Sequence, residues 1–321
     1  MSGLRMTGMV SLALAAVSAC GATGDKPAAA VRSSSEFNAD SAMSYIRQQL
    51  AFGPRVPGTE PARKAGDWIV AHLRATADAV LEQRWTHTLE TGKPLAMRNI
   101  FARFKPDAKE RILYITHWDT RPVANEETDP EKAKLPIPGA NDGASGVALL
   151  LAVADALKKA PPNVGVDLLF VDGEDWGDFT TNEDVLIGSS YFAQHLPNAG
   201  YQPLFGVLWD MIGDADLDIY QEENSARAAP EVVQKVWGLA KDMGYEKYFI
   251  PEVKYGPITD DQVPLIKAGL RVIDVIDIDY GPRDASGAVT TNYHHTLQDT
   301  IDKVSAKSLK IVGDVALALL R

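Results

Sequence analysis

The chain is short of cysteine, of clustered positive charge and of long apolar runs. Its 321 residues include a single cysteine, Cys20, so neither an internal disulfide nor a metal site built from several cysteines can form. The formal net charge of −11 argues against nucleic acid as a partner, because phosphate binding depends on clustered lysine and arginine. Beyond the N-terminal segment, no uncharged run reaches the roughly 20 residues that a membrane-spanning helix needs.

The N-terminal segment differs from the rest of the chain. Arg5 precedes a short apolar stretch at 9–16, and small residues lead up to Cys20, which resembles a bacterial lipobox. We therefore expect residues 1–19 to be a lipoprotein signal peptide, with Cys20 lipidated and the protein anchored in the bacterial cell envelope, facing the periplasm or on the outer membrane. An ordinary secretory signal with a chance cysteine is the alternative. Residues 20–36, rich in alanine, glycine and serine, are expected to form a flexible tether before one domain at 37–321.

Helical and strand-like segments alternate along that domain. Apolar periodicity predicts helices at 38–49, 60–75, 147–157, 189–196, 231–243, 261–268 and 305–320. It predicts strands at 80–89, 98–104, 112–116, 166–171, 205–209, 216–220 and 271–278. The alternation indicates an α/β fold, a three-layer α/β/α sandwich with a mixed, largely parallel central sheet.

Acidic and histidine residues stand at the ends of the predicted strands or in the loops that follow them. The candidates for metal binding are His117, Asp142, Asp175, Asp210 and His295. Any one of them alone would more often be a helix cap or turn residue. Ligands of open α/β sheets bind outside the carboxyl ends of the strands, so the five are expected to converge on one pocket. Histidine nitrogen and carboxylate oxygen are zinc ligands, and the set therefore predicts a zinc site.

Two adjacent carboxylates, Glu174 and Asp175, directly follow a strand that is apolar throughout. Two neighbouring acids are costly to ionise together in a pocket of low dielectric unless a cation compensates one of them. One acid can therefore bind zinc while the other acts as a general base.

Six motifs in a fixed order resemble the zinc aminopeptidase superfamily that also contains the glutaminyl cyclases. They are HWD at 117–119, GANDGASG at 139–146, DGED at 172–175, WDMIG at 209–213, TDDQVPL at 259–265 and YHHT at 293–296. The resemblance extends from about residue 38 to the C-terminus and implies a zinc-dependent catalytic domain.

One branch of that superfamily consists of aminopeptidases with two zinc ions. The resemblance then implies that Asp142 bridges both ions, that His117 and Asp210 complete one, and that Asp175 and His295 complete the other. Glu174 would activate a bridging water for hydrolysis of an N-terminal peptide bond.

In the other branch, the glutaminyl cyclases, a single zinc would be held by Asp142, Asp175 and His295. Glu174 would take a proton from the α-amine of an N-terminal glutamine and deliver it to leaving ammonia, and the product is pyroglutamate. Asp210 and Asp261 would hold Glu174 and the substrate amine in place. The substrates would be the N-termini of peptides or proteins.

Three features favour the cyclase branch: the segment from His117 to the GANDGASG motif, the long connection at 176–187, and the acidic pair at 260–261. Trp176, Phe179 and His294 are the predicted pocket walls. The chain departs from the pattern at Asp175, where many members have glutamate. An inactive lipoprotein binding module on the same scaffold is a third interpretation, which the presence of Glu174 and all candidate ligands disfavours.

Overall fold

Residues 37–321, which are the ones that the computed structural model describes, form eight α-helices, eight strands and two short 3-10 helices. The helices are α1 Ala39–Phe52, α2 Glu60–Thr76, α3 Ala144–Lys159, α4 Ile187–Gln194, α5 Glu223–Ala228, α6 Pro230–Asp242, α7 Gln262–Lys267 and α8 Ala306–Ala318. The strands are β1 Ala79–Thr88, β2 Pro94–Phe104, β3 Arg111–His117, β4 Gly165–Val171, β5 Phe205–Asp210, β6 Ile219–Glu222, β7 Phe249–Tyr255 and β8 Val272–Ile276. The predicted signal peptide, Cys20 and the tether lie outside the described residues.

Six strands form the central sheet, in the order β1-β2-β4-β3-β5-β8. β1 pairs with β2 and β2 with β4 in antiparallel fashion, whereas β4, β3, β5 and β8 run parallel. The prediction of a mixed, largely parallel sheet is confirmed. β4 lies on one side of β3 and β5 lies on the other, so the order in which successive strands are added to the sheet reverses at β3. A crevice is expected outside the carboxyl ends of the strands at such a point.

Both faces of the parallel strands are buried. Successive side chains of a strand point to opposite faces, so each strand contributes to two cores. Ile112 and Tyr114 of β3 pack in the core with α1, α2, α3, α6 and α8. Leu113 and Ile115 pack on the other face, in a smaller core that includes Phe192 of α4 and Leu265 of α7. These two cores separate three layers, which confirms the predicted α/β/α sandwich. No helix among the described residues is long and apolar enough to cross a membrane.

Small residues at the start of α3 let this helix lie against the sheet. A side chain at Gly146 would collide with the Thr116 side chain and the Trp209 carbonyl, and one at Gly143 would come within 2.6 Å of the His117 ring. Glycine is therefore required at both positions by close approach. The close packing brings the residue before this turn, Asp142, to the carboxyl ends of β3 and β5.

Candidate active site

The predicted site residues meet at the carboxyl edge of the parallel strands. His117 is the last residue of β3 and Asp210 the last of β5, while Glu174 and Asp175 follow β4. A cavity of about 370 Å³ opens there. Its walls include Asp142, Glu174, Asp210, His294 and His295 among the predicted residues. The edge of the sheet thus brings together side chains that are up to 178 positions apart in sequence, from His117 to His295.

His117 lies between two of the carboxylates and is buried. Its Nε2 atom is 3.1 Å from Asp142 Oδ1 and 3.1 Å from Asp210 Oδ1. Although burial acts against it, the negative charge of Asp210 and the hydrogen bonds to both acids raise the pKa of His117 well above its usual range. Ligand atoms of His117, Asp142 and Asp210 are close enough to one another to hold a metal ion.

His295 approaches Asp142 from the opposite side. Its Nε2 atom is 3.6 Å from Asp142 Oδ2 and 3.3 Å from Asp175 Oδ1. His295 has a left-handed backbone, with φ of 52°, a conformation that costs energy and tends to occur at functional sites. The ring of His294 stacks on that of His295 at 3.6 Å between centroids. Asp142, His294 and His295 form a second group whose ligand atoms could hold a metal ion.

Asp175 belongs to neither group and does not line the cavity. Its Oδ1 atom accepts a hydrogen bond of 2.6 Å from Nη1 of Arg121, a buried arginine that also donates to the Gly177 carbonyl at 3.1 Å. Asp175 nevertheless contacts His295, because its Oδ1 atom lies 3.3 Å from His295 Nε2. The Arg121 guanidinium shares that oxygen and leaves Oδ2 of the same carboxylate without a hydrogen bond.

The donor set nevertheless fits a cation. Asp175 Oδ2 is buried and makes no hydrogen bond. A buried polar atom without a partner costs free energy, which an ion bound beside it would recover. His117 and His295 hold the pKa of Asp142 well below its usual range although burial opposes this, so the carboxylate is ionised, as a metal ligand must be.

Besides Asp142, three buried carboxylates line the cavity: Glu174, Asp210 and Asp260. Burial raises the pKa of each of them, and for Glu174 and Asp260 the rise is large. Asp260 Oδ2 has no hydrogen-bond partner. A raised pKa makes a carboxylate more ready to take up a proton, which is the property that a proton-transferring group needs.

The resemblance implied a role for Asp261 of the acidic pair at 260–261, whereas Asp260 is the member that lines the cavity. Asp261 is fully buried beside the first turn of α7, and burial raises its pKa to about 7.

Of the predicted walls, Phe179 and His294 line the cavity, whereas Trp176 does not. Trp176 packs instead against the apolar cluster of Leu89, Leu95, Met97 and Ile187. The chain bends at Gly177, where an added side chain would collide with the backbone at 183–184. The bend leaves Phe179, rather than Trp176, beside the acids.

Two buried aspartates with no predicted role fix the loops that carry the site. Asp119 accepts the backbone N–H groups of Glu174 and Asp175, each at 3.2 Å. Asp299 accepts those of Asn141 and Asp142 at 2.8 and 3.2 Å. For Asp119, the sequence offered one signal of a role at the site, which is its position two residues after the strand-end His117. Arg121, four residues after His117, was a further signal, because it is a cation close in sequence to the candidate ligands.

Comparison with known proteins agrees with this geometry. The family model described as Peptidase family M28 matches residues 99–320. Glutaminyl-peptide cyclotransferase of Bos taurus is 28% identical over 255 residues, which cover 69% of this chain and 68% of the bovine protein.

Solved structures are more similar still. Porphyromonas gingivalis glutaminyl cyclase is 38% identical with a TM-score of 0.82, over 88% of this chain and 98% of that one. A Zn-dependent exopeptidase from Parabacteroides distasonis is 36% identical with a TM-score of 0.82, over 89% and 98%. The chain therefore belongs to peptidase family M28, and its relatives include glutaminyl cyclases and zinc exopeptidase-like proteins.

Proposed function

We propose that the protein is a zinc-dependent glutaminyl-peptide cyclotransferase, which converts an N-terminal glutamine to pyroglutamate and releases ammonia. The observation that carries the proposal is the set of three acids, Glu174, Asp210 and Asp260, around one cavity of about 370 Å³. Cyclisation moves a proton from an amine to a leaving amide nitrogen, and buried acids with raised pKa values suit that task. The similarity to solved glutaminyl cyclases supports the same reaction.

Asp142, Asp175 and His295 are the residues that would hold the zinc ion, because His295 Nε2 lies within 3.6 Å of a carboxylate oxygen of each aspartate. When bound, zinc supplies Lewis-acid polarisation of the γ-carboxamide carbonyl of the substrate. Arg121 occupies Asp175 Oδ1 and leaves Oδ2 of the same carboxylate free as a ligand atom.

Glu174 is the proposed proton carrier. Its carboxylate accepts a proton from the substrate amine as the ring N–C bond forms, and returns it to the amide nitrogen as the C–N bond breaks, so that ammonia leaves. Asp119 fixes the backbone of Glu174 and thereby the position of its carboxylate. A base held at a fixed place beside the substrate is effective because little orientational freedom remains to be lost.

Asp210 and Asp260 are proposed to hold the substrate amine close to Glu174. Both line the cavity beside it, and carboxyl oxygens can accept hydrogen bonds from the neutral amine. Phe179, Ile258 and Ile278 supply apolar walls against which the methylene groups of glutamine can pack.

The substitution Glu174→Gln tests this role. Ammonia release from a glutamine-initiated peptide should fall by at least about 100-fold, a magnitude typical of a lost general base, while bound zinc measured by elemental analysis stays the same. Glu183→Gln is the matched control, because Glu183 is exposed, lies on the nearby segment and does not line the cavity. Full activity of Glu174→Gln would remove this residue from the mechanism.

One observation favours a second function, a two-zinc aminopeptidase. His117, Asp142 and Asp210 bring ligand atoms together as closely as the group containing His295 does, so the site offers places for two metal ions. In that case Asp210 would bind a metal instead of the substrate amine. Zinc stoichiometry and the released product separate the two functions.

The location of the protein is part of the proposal. The lipobox-like sequence that ends at Cys20 supports a lipid anchor in the bacterial cell envelope. An enzyme held there would act on the N-termini of exported peptides or proteins.

A further inference from the structure

A groove of about 720 Å³ runs beside the candidate active site, between α4 and α7. Its walls come from residues of both helices and from the segment at 182–186. The lining residues are Asn182, Val185, Leu186, Ser190, Ala193, Gln194, Thr259, Val263, Pro264, Lys267 and Ala268. Most of these lining residues are apolar or small, four of them carry a side-chain amide or hydroxyl, and Lys267 is the one charged residue among them.

The groove begins where the catalytic cavity ends. Thr259 is exposed and lines both of them. The segment at 176–187 also serves both, because Phe179 and Thr180 line the cavity whereas Asn182 and Val185 line the groove. A chain that leaves the cavity over Thr259 therefore enters the groove directly.

The segment that forms the shared wall is fixed in place. His87 Nε2 lies 3.0 Å from Asp184 Oδ1, and the same aspartate accepts the backbone N–H of Glu90 at 3.0 Å. Leu186 donates its N–H to the Glu174 carbonyl at 3.0 Å, which ties the groove wall to the catalytic acid. A wall that is already ordered costs little further entropy when a ligand binds.

We propose that this groove binds the residues that follow the N-terminal glutamine of the substrate, and that it prefers a peptide with an acidic side chain near the third or fourth position. This rests on the proposed function. An extended peptide advances roughly 3.3 to 3.6 Å per residue, so two or three residues beyond the cavity reach the far end of a short helix such as α7, where Lys267 lies. The charge of Lys267 selects the acidic side chain, and the small residues Ala193 and Ala268 let the peptide backbone approach.

The test compares turnover of Gln-Ala-amide with that of Gln-Ala-Ala-Asp-Ala and Gln-Ala-Ala-Lys-Ala. For the unaltered protein, kcat/KM should be about tenfold higher for the acidic pentapeptide than for the dipeptide, equivalent to about 1.4 kcal/mol. Lys267→Glu should abolish this advantage and improve the lysine-containing peptide, with the dipeptide unchanged. Lys241→Glu, the same charge change on an exposed residue of α6 that lines neither the cavity nor the groove, should leave all three values unchanged.

A second variant, Ala268→Trp, fills the groove from an exposed position and should remove the length advantage for both pentapeptides. Equal kcat/KM for dipeptide and pentapeptides in the unaltered protein would overturn the inference, as would a parallel loss on all substrates in both variants. If no glutamine substrate is turned over, the proposed function fails. The groove is then tested by fluorescence anisotropy of the labelled acidic pentapeptide, and equal affinity for the unaltered protein and Ala268→Trp would overturn it.

Discussion

Replacing Arg121 by methionine should destabilise the metal-free protein far more than the zinc-bound one. The Arg121 guanidinium donates to Asp175 Oδ1 at 2.6 Å, and both side chains are almost completely buried. Methionine has a similar length and keeps an apolar contact with Phe179, whose ring lies 5.7 Å from the guanidinium carbon. The substitution therefore removes mainly the positive charge and its hydrogen bonds.

Loss of one partner from a buried ion pair typically costs about 3 to 5 kcal/mol, because the remaining charge is left without compensation. We expect a loss of that size in the free energy of unfolding of the metal-free protein. Zinc bound beside Asp175 supplies a positive charge of its own, so in saturating zinc the loss should shrink to less than half. It follows that zinc should raise the free energy of unfolding of Arg121→Met more than it raises that of the unaltered protein.

The assay is urea unfolding of both proteins, each with a chelator and with excess zinc. Arg63→Met is the matched control: the Arg63 side chain is 62% exposed in its surface ion pairs, and its loss should cost less than about 1 kcal/mol with or without zinc. An equal loss for Arg121→Met in both conditions would refute the argument that Arg121 and zinc compensate the same carboxylate.

Three further predictions concern other residues. Asp260→Asn should lower kcat/KM for a glutamine-initiated peptide by about 100-fold. Asp261→Asn should change it only a few-fold, because Asp260 is the member of the pair that lines the cavity. Equal effects of the two substitutions would contradict the placement of Asp260 in the cavity wall. The pKa of Asp261 is about 7 in the folded protein against a usual 3.8, so its protonated form stabilises the fold at low pH and that contribution is lost as pH rises from about 4 to about 7. In urea unfolding of the chelator-treated proteins, the free energy of unfolding of Asp261→Asn should therefore fall less with rising pH than that of the unaltered protein. The difference should be up to about 1.4 kcal/mol per pH unit. The same pH dependence in both proteins would contradict the raised pKa of Asp261. Cys20→Ala should move the protein from the membrane fraction to the soluble fraction of fractionated cells, and retention in the membrane would count against lipidation.

Much of the fold could be predicted because it depends on periodicity and on strand ends. The apolar run at 166–171 is buried on both faces as β4, and the residues after it reach the site as expected. The strand β7 was not predicted, because its residues 251–254 are exposed and Pro251 lies in its interior, where proline is disfavoured. It pairs only with β6, outside the central sheet.

Within the site, the sequence indicated which acids and histidines converge but not how each is turned. The choice between Asp260 and Asp261 depends on the backbone turn before α7, and composition does not encode that turn. The ion pair between Arg121 and Asp175 joins residues that are 54 positions apart, a contact that only the folded chain creates. The orientation of Trp176 likewise follows from a bend at Gly177 that local propensity does not predict.

Zinc content and reaction product, measured on one sample of the protein, separate a glutaminyl cyclase from an aminopeptidase. The protein is incubated separately with a glutamine-initiated and a leucine-initiated peptide, ammonia and free amino acid are quantified, and zinc is counted per chain. The account predicts one zinc per chain, with ammonia and a pyroglutamyl peptide from the first substrate and no free leucine from the second. Two zinc ions per chain with release of free leucine would contradict it.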